Sequence, residues 1–74
     1  MKGTLTKTQR LLAYGLNQFR INEEDKLTML AFLEQEEDQL LMIRYLQTHL
    51  QATEQEILNA FGQILLRRKN LTES

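Results

Sequence analysis

The apolar residues between positions 39 and 50 limit most strongly how this chain can fold. Wound as an α-helix at about 100° per residue, they cover an arc of roughly 200°. The arc contains Leu41, Met42, Ile43, Tyr45, Leu46, His49 and Leu50. A helix on the surface of a globular domain needs an apolar stripe only about 100° wide. Because more than one neighbour must cover so wide an arc, we predict that residues 39–50 form the central helix of a small helical core.

The length of the chain allows one domain with a small core. The sequence has 74 residues, a size at which hydrophobic burial and chain entropy nearly cancel. It contains no cysteine, so neither a disulfide nor a thiolate metal site can reinforce the fold. The absence of proline and a hydrophobic content of 42% favour long helices and argue against disorder. We therefore predict a single helical domain over residues 1–74, and dimerisation is one way for it to gain stability.

Capping signals mark where three of the helices begin. Thr6 and Gln9 fit a capping box, in which each side chain bonds the backbone amide of the other residue. Asn22 is a favourable N-cap and precedes three acidic residues, which suit the positive end of a helix dipole. Thr53 and Glu56 form a second capping box ahead of another apolar periodicity. These signals predict helices over residues 7–20, 23–34 and 54–69.

The acidic run 34–38 contains no glycine or proline, so local propensity alone would allow one helix from 23 to 50. In a continuous register, however, the apolar stripes before and after this run would be rotated by more than a right angle. We therefore predict a corner near Gln35 and a separate helix over 36–50. The expected fold is all-α, a small bundle of four short helices with mostly antiparallel neighbours, and with residues 1–4 and 70–74 frayed.

The sequence offers little support for catalysis. His49 is the only histidine, and no serine or cysteine nucleophile signature accompanies it. The Glu-x-x-His pattern of di-iron bundles is absent, because Leu46 lies three residues before His49. No glycine-rich phosphate loop is present. We predict no catalytic, cofactor or metal site, and we expect His49 to pack against a helix or to cap one.

Charge and hydropathy narrow the choice of partners. The formal net charge is −1 and the pI is near 5.8. A nucleic-acid-binding domain typically has a pI above about 9, so the overall charge argues against nucleic acid as the main partner. No apolar run approaches the roughly 20 residues of a bilayer span, and the first residues lack a signal-peptide core. We expect a cytoplasmic protein without membrane association.

Two groups of residues are candidates for a binding surface. Tyr14 and Leu66 face away from the apolar stripes of their own helices and form the candidate partner surface. The candidate basic patch consists of Lys7, Arg10, Arg67, Arg68 and Lys69, near the two ends of the chain. An antiparallel four-helix arrangement would place those ends on one side of the molecule. The alternative explanation for these charges is complementarity to helix dipoles.

Residues 39–62 resemble the first two helices of helix-turn-helix and winged-helix domains. In those domains an apolar helix ending in a tyrosine-leucine pair leads to a threonine-capped helix that stops at glycine. The matching residues here are Tyr45 and Leu46, Thr53 and Gly62. The resemblance implies a turn at Gly62, a recognition helix within 63–74, and a small DNA-binding regulator that uses residues 39–74.

Taken together, these patterns favour a small non-enzymatic helical protein that acts through protein–protein interaction or self-association. The DNA-binding regulator is the alternative. The two hypotheses differ at Gly62, because a single unbroken helix over 54–69 is incompatible with a helix-turn-helix segment.

Overall fold

Four α-helices account for most of the residues that the structure, a computed structural model, describes, namely 5–73. They are α1 (Lys7–Asn17), α2 (Glu23–Phe32), α3 (Glu36–Thr48) and α4 (Glu54–Glu73). No strand occurs within this range. The predicted all-α fold with four helices is confirmed, and each helix begins at the residue that the capping signals and the apolar phase predicted.

Consecutive helices run in opposite directions along the bundle. The Thr8 hydroxyl donates a hydrogen bond of 2.9 Å to Glu36, so the first turns of α1 and α3 lie together. In α4, Arg68 near the carboxyl end pairs with Asp38 in the first turn of α3, so α3 and α4 are antiparallel. α2 returns the chain from the end of α1 to the start of α3. The resulting α1–α3 pair is parallel, and its contact is the most extensive between any two helices.

The hydrophobic core is one cluster to which all four helical segments contribute. Its buried members are Leu12, Leu16, Met29, Leu33, Met42, Leu46, Ile57, Phe61 and Ile64. α3 contacts both α1 and α4, and its residues Met42 and Leu46 lie in the middle of the cluster. Full burial of each such side chain stabilises the fold by about 1.5–3 kcal/mol. The predicted central position of this helix is confirmed, although Leu50 beyond its end is 75% exposed.

The corner between α2 and α3 is held by a buried glutamine. Leu33 ends α2 with φ −90° and ψ 77°, outside the helical region. The Gln39 side-chain amide, only 3% exposed, donates a hydrogen bond of 2.7 Å to the Leu33 carbonyl. This bond satisfies a carbonyl that the helix leaves without a partner. The predicted corner near Gln35 is confirmed, and Gln39 explains how it forms without a side-chain cap at Gln35.

The first three helices end earlier than predicted. α1 stops at residue 17 and not 20, because the amides of Gln18 and Phe19 bond carbonyls only three residues back and Arg20 adopts φ 54°. α2 stops at residue 32 and not 34, where the Leu33 backbone leaves the helix. α3 stops at residue 48 and not 50, because His49 has φ −128° and ψ 65°.

α4 corrects two further predictions. It runs without interruption through Gly62 to Glu73, so the turn at Gly62 that the resemblance implied is wrong and residues 39–73 lack helix-turn-helix geometry. A glycine inside a helix costs only about 1 kcal/mol relative to alanine, which this helix tolerates. α4 also extends past its predicted end at residue 69, since no glycine or proline follows Arg68 and the Thr72 hydroxyl donates a hydrogen bond to the Arg68 carbonyl. The predictions for residues 1–4 and 74 lie outside the described residues.

Candidate functional site

An open groove of about 430 Å³ runs between α1 and α3. Residues from the two helices and the turns that follow them line it: Leu11, Tyr14, Gly15, Gln18, Phe19, Ile43, Leu46, Gln47 and Leu50. The polar side-chain groups in this set are those of two glutamines and the Tyr14 hydroxyl. The volume lies within the range of about 300–1,000 Å³ that is common for ligand pockets in proteins. We call this feature the α1–α3 groove.

The groove exists because the two helices approach closely at one glycine. A Cβ atom added at Gly15 would lie 3.1 Å from Leu46 Cδ1, tighter than an ordinary van der Waals contact. Leu46 is 3% exposed and forms the floor at this point. The larger side chains of Tyr14 and Gln47 stand on either side of it. Glycine therefore sets the spacing of the two walls.

Large apolar side chains remain uncovered along both walls. Leu11 is 52% exposed and Tyr14 is 66% exposed on the α1 side, and Leu50 is 75% exposed on the α3 side. A single exposed leucine is ordinary on a protein surface. Three such residues around one concavity form a contiguous apolar patch, which on soluble proteins marks an interaction surface.

The two segments that contribute the groove lining are basic, although none of their arginines lines the groove and the protein as a whole is slightly acidic. Residues 9–22 and 39–53, which build the groove, contain Arg10, Arg20 and Arg44 and no aspartate or glutamate. All three arginines are exposed. The acids nearest to the ends of these segments have partners of their own. Glu23 pairs with Lys26 at 3.1 Å, Glu54 accepts from the Asn22 amide at 3.2 Å, and Asp38 pairs with Arg68 at 3.0 Å.

The structure separates the two residues of the predicted partner surface. Tyr14 lines the α1–α3 groove. Leu66 is 51% exposed on α4 and does not line the groove. Tyr14 is therefore the residue of this pair that the geometry connects to a binding site.

The predicted basic patch is divided, because two of its arginines pair with acids of α3. Arg68 Nε lies 3.0 Å from Asp38 Oδ2, and its Nη2 lies 3.1 Å from Glu37 Oε1. Arg67 Nη2 lies 3.2 Å from Glu37 Oε2. The hydrogen bond to Asp38 is the main cause that raises the pKa of Arg68 above its usual value. We call these four residues the α3–α4 ion-pair cluster.

The remaining members of the predicted basic patch are exposed, and they lie toward the same end of the molecule because the first turns of α1 and the carboxyl part of α4 both contact the first turn of α3. Lys7 and Arg10 belong to the first turns of α1, and Lys69 follows the ion-pair cluster on α4. The neighbouring acidic pair Glu37–Asp38 and basic pair Arg67–Arg68 were a signal for the cluster. The two pairs can be matched only when α3 and α4 are known to be antiparallel, and the sequence prediction instead placed Arg67 and Arg68 in the candidate basic patch.

Several groove residues were missing from the sequence prediction. Leu11 and Gln18 lie three residues before and four residues after Tyr14, on one line of α1. Ile43, Gln47 and Leu50 form the equivalent line on α3. The spacing alone could have identified each line. The two rows form one groove only because α1 and α3 pack in parallel, and no local sequence pattern predicts that packing.

His49 caps α3, as predicted for it. Its backbone amide donates to the Tyr45 carbonyl at 3.0 Å, and Nδ1 lies 3.0 Å from the same oxygen. The imidazole stacks on the Tyr45 ring with a centroid distance of 4.1 Å, and Nδ1 also lies 2.9 Å from the Thr48 hydroxyl. These contacts account for both the position and the orientation of the ring.

Residues 5–73 contain neither a metal-binding cluster nor a membrane-spanning helix. No group of three or more histidine, cysteine, aspartate or glutamate residues in this range is arranged to hold a metal ion. No helix in the described part of the chain is long and apolar enough to cross a membrane. Comparisons with protein-family models, with curated proteins and with solved structures found no match to this chain.

Proposed function

We propose that this protein acts without catalysis, by binding another protein through the α1–α3 groove. The observation that supports the proposal is the convergence of three exposed apolar residues, Leu11, Tyr14 and Leu50, on one concave surface. These side chains add little to the stability of the isolated chain, because most of their surface stays in water. A partner that covered them would gain up to about 1.5–3 kcal/mol for each side chain that it buried fully.

The shape of the groove suits a protein segment better than a polar metabolite. Its lining offers two glutamine side chains and the Tyr14 hydroxyl for hydrogen bonds and is otherwise mostly apolar. Small-molecule sites usually add a few convergent polar groups that fix the orientation of the ligand. Protein interfaces are instead dominated by aromatic and aliphatic anchors with a polar rim. Tyr14 has the character of such an anchor.

Site-specific photo-crosslinking tests this proposal. A photoreactive amino acid would replace Tyr14 in the groove, and in a matched variant it would replace Leu40, which is 51% exposed but outside the groove. Both variants would be expressed in the native host, in the cytoplasm where we propose that the protein acts. We expect a defined protein adduct from position 14, loss of that adduct when Leu50→Glu is added, and no equivalent adduct from position 40.

The same experiment can contradict the proposal. Equal adducts from both positions, or none from position 14, would show that the groove is not a binding surface. An adduct of twice the mass of the chain would identify a second copy as the partner. Sedimentation velocity over a wide concentration range would then check whether the purified chain associates through the groove.

A further inference from the structure

We propose that this chain forms dimers by exchanging α4 between two copies. In the dimer, residues 36–73 of each copy form one continuous helix, and each α4 packs on α3 of the other copy. The proposal goes beyond the function proposed above and does not depend on it. It follows from the composition of the link between α3 and α4, from the phase of their apolar residues and from the register of their contact.

α4 is attached to the rest of the fold mainly through one neighbour. Among the described residues, α3 is the only helix with which α4 makes an extensive contact. α2 adds the edge-to-face contact of Phe32 with Phe61. The α3–α4 ion-pair cluster joins α3 and α4 at the end remote from their link. A second copy offers the same surface for α4, so an exchange keeps these contacts and only changes the chain that supplies them.

The link between α3 and α4 can itself become helical. Residues 49–53 include neither glycine nor proline. The closed link is held by the Ala52 amide, which donates to the His49 carbonyl at 3.0 Å, and its largest aliphatic side chain, Leu50, is 75% exposed. A helical link would also supply partners for the terminal carbonyls of α3 and the terminal amides of α4, which separate helices leave without intrahelical bonds.

The core residues of α3 and α4 fall on one face when the two helices are continuous. They follow one another in steps of three or four across the link, as Met42, Leu46, Leu50, Thr53, Ile57, Phe61 and Ile64. This spacing is that of one face of an α-helix, and the buried residues of α3 and α4 are then centred only about 50° apart. Leu50, which is exposed in the closed chain, becomes part of the apolar face.

The contact between α3 and α4 has the register that a twofold dimer needs. Asp38 lies opposite Arg68, and the residue midway between them in sequence is Thr53, at the end of the link. Two continuous antiparallel helices in this register are related by a twofold axis near Thr53, with one ion-pair cluster at each end. Each helix would be roughly 57 Å long, whereas the described part of the closed chain extends 35 Å.

Two charge-reversed variants of the full chain test the exchange. Arg67→Glu/Arg68→Glu and Glu37→Lys/Asp38→Lys each place like charges between α3 and α4 of the same chain. When the two variants are refolded together from urea, only exchange brings each α4 onto an α3 of opposite charge. We expect a heterodimer in sedimentation velocity, with a melting temperature at least about 5 °C above that of either variant alone.

A matched pair controls for attraction between oppositely charged chains. Arg10→Glu/Arg44→Glu and Glu24→Lys/Glu34→Lys carry the same changes in net charge at exposed positions outside the cluster. Their mixture should melt no higher than the separate variants.

A second pair of variants tests the helical link in the refolded unmutated background. Leu50→Lys places a charge on the apolar face and should weaken dimerisation several-fold, whereas Gln51→Lys, off that face, should leave it unchanged.

A distance measurement tests the arrangement directly. The chain has no cysteine, so Asn70→Cys provides a single site for a spin label. In the exchanged dimer the two labels would lie at opposite ends of the paired helices, roughly 50 Å apart. A charge-reversed mixture that stays monomeric or melts no higher than its components would overturn the inference. So would a dimer whose labels lie much closer together, because that dimer would consist of closed chains, or a dimer that Leu50→Lys leaves unchanged.

Discussion

Asp38 and Arg68 illustrate how a charge at a helix terminus becomes part of the tertiary structure. The Asp38 side chain is 3% exposed, and a buried carboxylate without a partner would be strongly destabilising. Two Arg68 nitrogens bond the two Asp38 oxygens at 3.0 and 3.2 Å, which is the bidentate geometry that arginine favours. Among the residues that the structure describes, no buried side-chain nitrogen or oxygen lacks a hydrogen-bond partner.

Arg67 and Arg68 should contribute unequally to the stability of the fold. We expect Arg68→Ala to lower the melting temperature clearly more than Arg67→Ala, because Arg67 approaches Asp38 only at 3.6 Å and otherwise pairs with the exposed Glu37. Thermal denaturation followed by circular dichroism measures both variants. Equal melting temperatures would show that the buried carboxylate does not depend on Arg68.

The pKa of Arg68 determines how the difference in melting temperature between Arg68→Ala and Arg67→Ala depends on pH. Hydrogen bonding to Asp38 raises the pKa of Arg68, so Arg68 is more readily charged in the folded chain than in the unfolded chain. The resulting stabilisation is fully present below the unfolded pKa and is lost only as the pH rises through the raised value. Between neutral pH and about pH 10, Arg68 stays charged in both the folded and the unfolded chain. Its ionisation should therefore not change the difference in melting temperature between the two variants over this range.

Arg20 is a second residue whose effect on stability can be argued individually, because its backbone conformation is strained. Its φ of 54° lies in the left-handed region, where a side chain costs roughly 1–2 kcal/mol and glycine costs almost nothing. We expect Arg20→Gly to be more stable than Arg20→Ala by about 1 kcal/mol, because both remove the side chain and only glycine removes the strain. Urea denaturation of the two variants measures this difference. A more stable alanine variant would contradict the strained backbone.

At the scale of the helices, starts were predictable and ends were not. α1, α2 and α4 begin after Thr6, Asn22 and Thr53, whose side chains cap the helix locally and are visible in the sequence. The ends have no such local marker. α1 ends just before Arg20 turns the chain toward α2, and α2 ends at Leu33, whose carbonyl accepts a hydrogen bond from the side-chain amide of Gln39. Both events depend on tertiary packing.

The candidate site was predictable only in part for a similar reason. Tyr14 was identified from the helical phase of α1 alone. Leu11, Ile43 and Leu50 became part of a site only when α1 was found to pack in parallel on α3. The sequence favoured antiparallel neighbours, which holds for consecutive helices and does not predict the pairing of the first helix with the third.

The two described helical glycines provide a matched test of helix packing. Nothing lies within 4 Å of a Cβ added at Gly62, so Gly62→Ala should stabilise α4 by about 1 kcal/mol. At Gly15 the same methyl group meets the buried Leu46, and overpacking costs about 1–3 kcal/mol. We expect Gly15→Ala to be less stable than Gly62→Ala by more than 1 kcal/mol. Equal stability in guanidinium titrations would mean that α1 and α3 separate without cost.

At the scale of the whole molecule, the residues that fold the chain and those proposed to bind a partner lie side by side. The described part measures 35 × 32 × 21 Å, so few side chains can be far from the surface. Leu46 and Leu50 are one turn apart in sequence, yet the first is 3% exposed and the second is 75% exposed. Leu46 belongs to the core and forms the floor of the groove, whereas Leu50 is an exposed residue of its wall.

This division predicts opposite outcomes for the same substitution. Leu46→Ala should lower the free energy of unfolding by about 2–5 kcal/mol, because it leaves a cavity in the core. Leu50→Ala should change it by no more than about 0.5 kcal/mol. Chemical denaturation of the two variants checks the expectation. A large loss for Leu50→Ala would show that this residue is needed for folding, which would remove it from the proposed binding surface.

The parallel pairing of α1 with α3 also has a consequence for how the chain reaches its native state. The contacts that cover α3 join residues far apart in sequence, 28 positions for Thr8–Glu36 and 30 for Asp38–Arg68. The entropy of closing such loops is lost before the core compensates for it. The pair α1–α2 alone lacks the helix on which α1 packs most. We therefore expect a single cooperative transition without a populated hairpin intermediate, and slower folding than in helical bundles whose contacts are local.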